Sequence, residues 1–189
     1  TILDKKDTDL VLSARMPPTI ECCRKLGLDP VTWVKEGLLN IVVPGPEGML
    51  IDMDLPVEEW VEAVKGTGCQ VYGCVTPLVN DDRRVAATVE MYRAAAMNYL
   101  AAGADGIYLT DFYSRGWPFN AEDYTVLREV GDIDVIGLKD KHYWMRTGTR
   151  EGPYIPYPRQ LPLVLEDGSE NAVRLKVWDD LEPASRAGV

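Results

Sequence analysis

Apolar stretches that stop at turn-forming residues alternate along this chain with helix-compatible stretches. The apolar ones begin about 30 to 35 residues apart, the length of one strand-and-helix unit. "LVLSARMP" (residues 10–17) opens the series as a short buried strand halted by Pro17 and Pro18. "TIECCRKLG" and "DPVTWVKEG" then read as two short helices. Each starts on a capping type, Thr19 or Asp29, and stops at a glycine, Gly27 or Gly37, and Pro30 sits where a first turn tolerates it. The second unit is "LLNIVVPG", a loop "PEGMLIDMDL" and the helix "PVEEWVEAVKGTG", whose Val57, Trp60, Val61 and Val64 share one face. The third is "CQVYGCVTP" with the Ala-rich helix "DDRRVAATVEMYRAAAMNYLAAG", expected to be capped by Asp81 and Asp82. The fourth is "DGIYLTDFY" with the helix "NAEDYTVLREVGD".

Four consecutive βα units with near-continuous apolar strands predict an α/β fold whose parallel sheet is covered on both faces. An open doubly wound sheet and a barrel both fit that pattern. A full eight-unit barrel takes about 250 residues, so four units amount to half of one. The expected organisation is a half-barrel over residues 1–135 and an irregular linker over 136–160, rich in Gly, Pro and aromatics. Over 161–189 the start of a β-domain or a hairpin cap is expected, because two strands flank "EDGSEN" and Val173, Leu175 and Val177 alternate onto one buried face.

Composition removes several functions. A formal charge of -10 and a pI near 4.6 argue against a nucleic-acid or anionic-membrane surface, which needs clustered Lys and Arg. No run reaches the roughly 20 apolar residues that span a bilayer. The first residue is Thr1 rather than Met, so localisation is left open. Cys22, Cys23, Cys69 and Cys74 form no C-x-x-C pair and read as buried thiols. No dinucleotide, Walker, zinc-protease or EF-hand motif occurs, so neither a cofactor nor a metal is expected. His142, the single histidine, falls outside the strand ends, and Trp33 and Trp60 read as core residues.

"LSARMPPTIECCRKLGLDPVTWVKEGLLNIVVPG", "AAMNYLAAGADGIYLTDFY" and "LREVGDIDVIGLKDKHYW", in that order, resemble the C-terminal half of the glycoside-hydrolase-like (β/α)8 barrels of the family 10-like or uncharacterised glycosidase type. The start of a β-sandwich would follow. The resemblance implies a site at the C-terminal ends of the strands. There Asp111 is the candidate acid, Arg15 a hydrogen-bond donor, and Tyr113 and Trp117 a stacking platform for a sugar ring, with Tyr72 and Arg115 as further contacts. Asp52, on the loop after the second strand, is the other candidate carboxylate, while Asp54 reads as a helix cap.

The pattern is broken in one place. Barrels of this type carry a nucleophilic Glu at the end of the seventh strand, and "QVYGCVTP" has no carboxylate. Glycoside hydrolysis ordinarily takes two. The expected function is therefore a glycoside-hydrolase-like protein acting on or binding carbohydrate, this chain being an incomplete piece. A non-catalytic carbohydrate-binding barrel and, ranked last, an aldolase- or lyase-type metabolic barrel are the alternatives. A missing N-terminal half-barrel or a second copy is the expected macromolecular partner, since a half-barrel leaves two sheet edges open.

Overall fold

A computed structural model describes residues 10–46, 48–79 and 85–146, and in the C-terminal stretch 160, 161, 163–165, 167, 168 and 170–179. These residues form a mixed α/β structure with six helices around a four-stranded parallel sheet. The strands are β1 (Ser13–Met16), β2 (Ile41–Pro44), β3 (Gln70–Val75) and β6 (Gly106–Leu109), adjacent in that order. Ser13 pairs with Ile41, Ile41 with Gln70, and Tyr72 with Gly106. α1 (Ile20–Lys25) and α2 (Pro30–Lys35) connect the first pair, α3 (Val57–Val64) the second and α4 (Val89–Ala101) the third. α5 (Ala121–Glu129) and α6 (Ile133–Gly137) pack on α4. The sequence did not signal the two-residue ribbon of β4 (Leu78–Val79) and β5 (Val85–Ala86), nor α6.

Local chemistry explains most boundaries. The Thr19 hydroxyl accepts from the Cys22 amide at 3.0 Å and Asp29 from the Thr32 amide at 3.2 Å, satisfying donors that have no partner inside a helix. Asn120 and Asp123 bond each other's amides as a capping box that opens α5. Two capping expectations are corrected. α4 begins at Val89, capped by the Thr88 hydroxyl, and Asp81 and Asp82 lie outside the described residues. α3 starts after Pro56 with no side-chain cap, because the Asp54 carboxylate accepts from the Gln160 amide at 3.2 Å instead. The fourth strand is also shorter than expected: Phe112 and Tyr113 lie in a 3-10 turn spanning Phe112–Arg115.

The core lies between the sheet and the helices. Val42, Val71 and Val75 from the strands meet Trp60 of α3 and Tyr92 and Tyr99 of α4, all of them buried. A side chain at Gly73 would collide with the Tyr99 ring, so β3 and α4 approach closely only because that position is glycine. Residues of the opposite parity point away from the helices. On that second face Ser13, Arg15, Gln70 and Tyr108 are exposed, Ile41 and Tyr72 are half-buried, Val43 and Cys74 are buried, and the Tyr72 ring lies against Gly106. Sequential parallel strands joined by right-handed crossovers place their helices on one side. Among the described residues helices thus cover one face, while the second is shielded in its middle, at Val43 and Cys74.

No strand is assigned among the described residues of 160–179, and Val173, Leu175 and Val177 are exposed. The expected hairpin face is therefore not buried. The Gln160 side-chain amide takes the place of a ladder, accepting from the Arg174 amide and donating to its carbonyl, both at 2.7 Å. Polar anchors hold the segment on the helix side. The Asn98 amide donates to the Lys176 carbonyl at 3.1 Å, Lys176 pairs with Glu58, and Tyr143 donates to Asp179 at 3.0 Å.

Candidate functional site

β1 and β6 are the two outer strands of the sheet, yet residues at their C-terminal ends line one cavity of about 410 Å³. Arg15 comes from β1 and Asp111 from the turn after β6; Met16, Pro17, Leu26 and Met49 give apolar walls. Cys22 of α1 and Leu26 just after it complete the lining, so the cavity sits at the C-terminal rim of the sheet, where the first helix meets the strand ends.

Arg15 is anchored through its surroundings. One guanidinium nitrogen donates to the Pro46 carbonyl at 3.3 Å, and the group also hydrogen-bonds the Cys74 thiol. Gly45 makes this possible, since a Cβ there would lie 2.8 Å from the Cys74 Cβ and 3.3 Å from Arg15 Nε. Burial pushes the Cys74 thiol up to about 11; Arg15 pulls the other way and Asp111 adds to the rise. Cys74 is therefore a neutral thiol at pH 7, a hydrogen-bonding rest for the guanidinium rather than a nucleophile.

Asp111 occupies a left-handed conformation, φ 51° and ψ 25°, and is the single non-glycine residue with positive φ among those described. Asp tolerates this region better than most residues because its short side chain bonds locally. Here the Thr110 hydroxyl donates to the carboxylate at 3.3 Å. Thr110 itself is buried, its amide bonded to the Val75 carbonyl at 3.1 Å. The strand end is thus pinned, and the next residue turns its acid out beside the cavity. Among the described residues neither Arg15 nor Asp111 forms an ion pair.

An aromatic cluster follows directly on Asp111. Tyr113, 79% exposed, stacks on Phe119 with centroids 5.7 Å apart; Trp117, 76% exposed, meets the same ring edge-on at 5.4 Å. Phe112 and Tyr124 also contact Phe119, which makes it the hub. Buried Phe112 ties the cluster to Tyr92 of α4. The two exposed rings are consequently held in place, a shelf suited to the apolar face of a ligand.

Of the residues singled out in the sequence, Arg15 and Asp111 share the cavity, and Tyr113 and Trp117 share the shelf. Tyr72 lies on β3, on the sheet face that points away from the helices, and is not among the residues that line the cavity. Arg115 ends the 3-10 turn, and its side chain is outside the described set. Asp52 does not line the cavity. It is buried with its carboxylate accepting from the Asp54 amide at 3.1 Å and 3.8 Å from Arg146, while its carbonyl accepts from the Tyr99 hydroxyl. His142 is distant in role, its amide bonded to Glu90 of α4. Sequence reasoning passed over Cys74, Gly45 and Phe119. "VPG" after an apolar strand and a small thiol opposite it were the available signals, and nothing local marked Phe119 as a hub.

Among the described residues no group of three or more His, Cys, Asp or Glu side chains is placed to hold a metal ion. No helix among them is long and apolar enough to cross a membrane. No protein-family model and no curated protein sequence matches this chain.

Proposed function

We propose that this chain is the carbohydrate-binding half of a glycoside-hydrolase-like barrel, taking an oligosaccharide at the C-terminal ends of its parallel strands. One observation carries the reading: a fixed guanidinium and an outward carboxylate line one apolar-walled cavity, and the carboxylate is followed in the chain by an exposed aromatic shelf. Sugars ask for that combination, since their hydroxyls need donors and acceptors while a C–H face needs an apolar plane. Arg15 donates to hydroxyl oxygens, Asp111 accepts from hydroxyl protons, and Tyr113 and Trp117 stack.

A second reading is favoured by the same cavity. Among its described lining residues Asp111 is the sole carboxylate, and glycoside hydrolysis takes two. Binding without turnover is the activity expected of this chain alone. A thermal-shift screen against neutral oligosaccharides, uronic-acid oligosaccharides and phosphorylated metabolites tests both, because a ligand that binds only the folded form raises Tm. Stabilisation by an oligosaccharide, lost on Trp117→Ala, supports the proposal. Stabilisation by phosphorylated compounds alone replaces it with the metabolic-barrel reading.

A further inference from the structure

Charges that are taken out of water need an opposite charge or a full set of hydrogen bonds. The cavity at the strand ends is lined by one charge of each sign, Arg15 and Asp111, yet among the described residues they pair neither with each other nor with a third group. Neutral partners hold each of them instead. The guanidinium rests on the Pro46 carbonyl and the Cys74 thiol, and the carboxylate accepts from the Thr110 hydroxyl at a left-handed turn. A guanidinium has about five N–H donors, so its two partners occupy a minority of them. The charge of Asp111 is felt at the same Cys74 on which Arg15 rests, which puts both charges around one part of the rim. Both residues are exposed, so solvent screens them until a ligand fills the cavity.

We infer that the sugar taken here is zwitterionic: an oligosaccharide whose carboxylate meets Arg15 and whose free, protonated amino group meets Asp111. The inference rests on the carbohydrate reading and adds the charge of the substrate class to it. Simpler ligands fit less well. A neutral sugar desolvates both charges and offers them hydroxyls alone, which make weaker hydrogen bonds than ions do. A purely anionic sugar compensates Arg15 but brings its charge beside Asp111, in a chain whose formal charge is already -10. A purely cationic sugar has the converse fault, since Arg15 lines the same space. A phosphorylated sugar carries about two negative charges and would meet a single guanidinium among the described lining residues. A zwitterion compensates both groups and enters with no net charge. Its planar carboxylate also matches the fork of the guanidinium. Met16, Pro17, Leu26 and Met49 give the cavity apolar walls, against which both pairs are stronger than in water.

Calorimetry of the whole chain with one disaccharide, a uronic acid linked to glucosamine, tests the inference. The disaccharide is used in four forms: unmodified, N-acetylated, methyl-esterified, and modified at both groups. The unmodified form is expected to bind tightest, and either single modification to weaken binding at least about tenfold, as the loss of a charge-assisted hydrogen bond does. Affinity for the unmodified form should also fall as pH rises through the pKa of the sugar's own amine, while that of the N-acetylated form stays level. Arg15→Lys keeps the positive charge and loses the fork, so it should shrink the penalty for esterification and leave the penalty for acetylation as it is. Should that variant not fold, the series with the unaltered protein decides by itself. A penalty from only one of the two modifications, or both penalties unchanged in folded Arg15→Lys, would overturn the inference. Equal binding of all four forms would overturn it too and leave the carbohydrate reading standing, whereas binding of none would remove both.

Discussion

The two faces of the one parallel sheet differ in what they present. On the helix side every strand position that points inward is apolar or glycine, and Trp60, Tyr92 and Tyr99 fill the space down to the backbone of Gly73. On the other side the same strands present Ser13, Arg15, Gln70, Tyr72 and Tyr108 beside buried Val43 and Cys74. The proposed function puts recognition at the rim of that second face, so substitutions should separate by the face they alter.

Trp60→Ala is expected to have the largest effect on stability. It empties a site that is 1% exposed and strands the Pro18 carbonyl that the indole N–H meets at 2.9 Å. Large-to-small aromatic changes in cores cost roughly 3–5 kcal/mol, which a urea melt would read directly. Gly73→Ala should follow at about 1–3 kcal/mol, because the added methyl has no room against Tyr99. At the cavity Arg15→Gln should leave the urea midpoint nearly unchanged while abolishing oligosaccharide binding in calorimetry. A large loss of stability in that variant would erase the distinction between the faces.

Asp111→Gly sharpens the contrast further. Glycine adopts a left-handed conformation without penalty, so relief of the backbone should raise stability by about 1 kcal/mol while ligand binding falls. Asp111→Asn, which tolerates the same backbone, should lose binding with little gain in stability. The smallest effect concerns pH and the helix layer alone. Burial raises the Glu129 carboxyl, but hydrogen bonds from Lys139 and Arg93, at 2.8 and 2.7 Å, and their charges outweigh it and hold the group below its ordinary 4.5. A depressed carboxylate stabilises the fold above its unfolded pKa, and that contribution disappears as pH falls through the folded value. Glu129→Gln should therefore flatten the acid limb of a Tm-against-pH curve, with no change at the cavity of Arg15 and Asp111.

Legibility in the sequence divides along the same line. The strand-and-helix order, the caps at Thr19 and Asp29 and the buried face of α3 all follow from periodicity and local hydrogen bonding, which neighbouring residues determine. Asp54 did not follow. Its carboxylate meets Gln160, more than a hundred residues away, and that tertiary contact displaces the local cap. For the same reason "AVRLKVW" alternates like a strand without becoming one, since its anchors are Asn98 and Glu58 rather than a neighbouring strand. Asp111 and Arg15 were readable as strand-end polar residues. Their meeting in one cavity depends on the order of the strands in the sheet, and the support of Arg15 by Cys74 and Gly45 depends on register between strands, neither of which a single sequence encodes locally.

Methyl resonances test the central claim, that a ligand is recognised at the C-terminal rim of the strands, most directly. Met49, half-buried, lines the cavity, and Met16 lines it from the edge of the core in which Met53 and Met91 are buried away from it. In a titration of methyl-13C-methionine protein with an oligosaccharide that raises Tm, the Met16 and Met49 signals should shift together while those of Met53 and Met91 stay fixed. Shifts confined to Met53 and Met91, or a stabilising sugar that moves none of the four, would contradict the account.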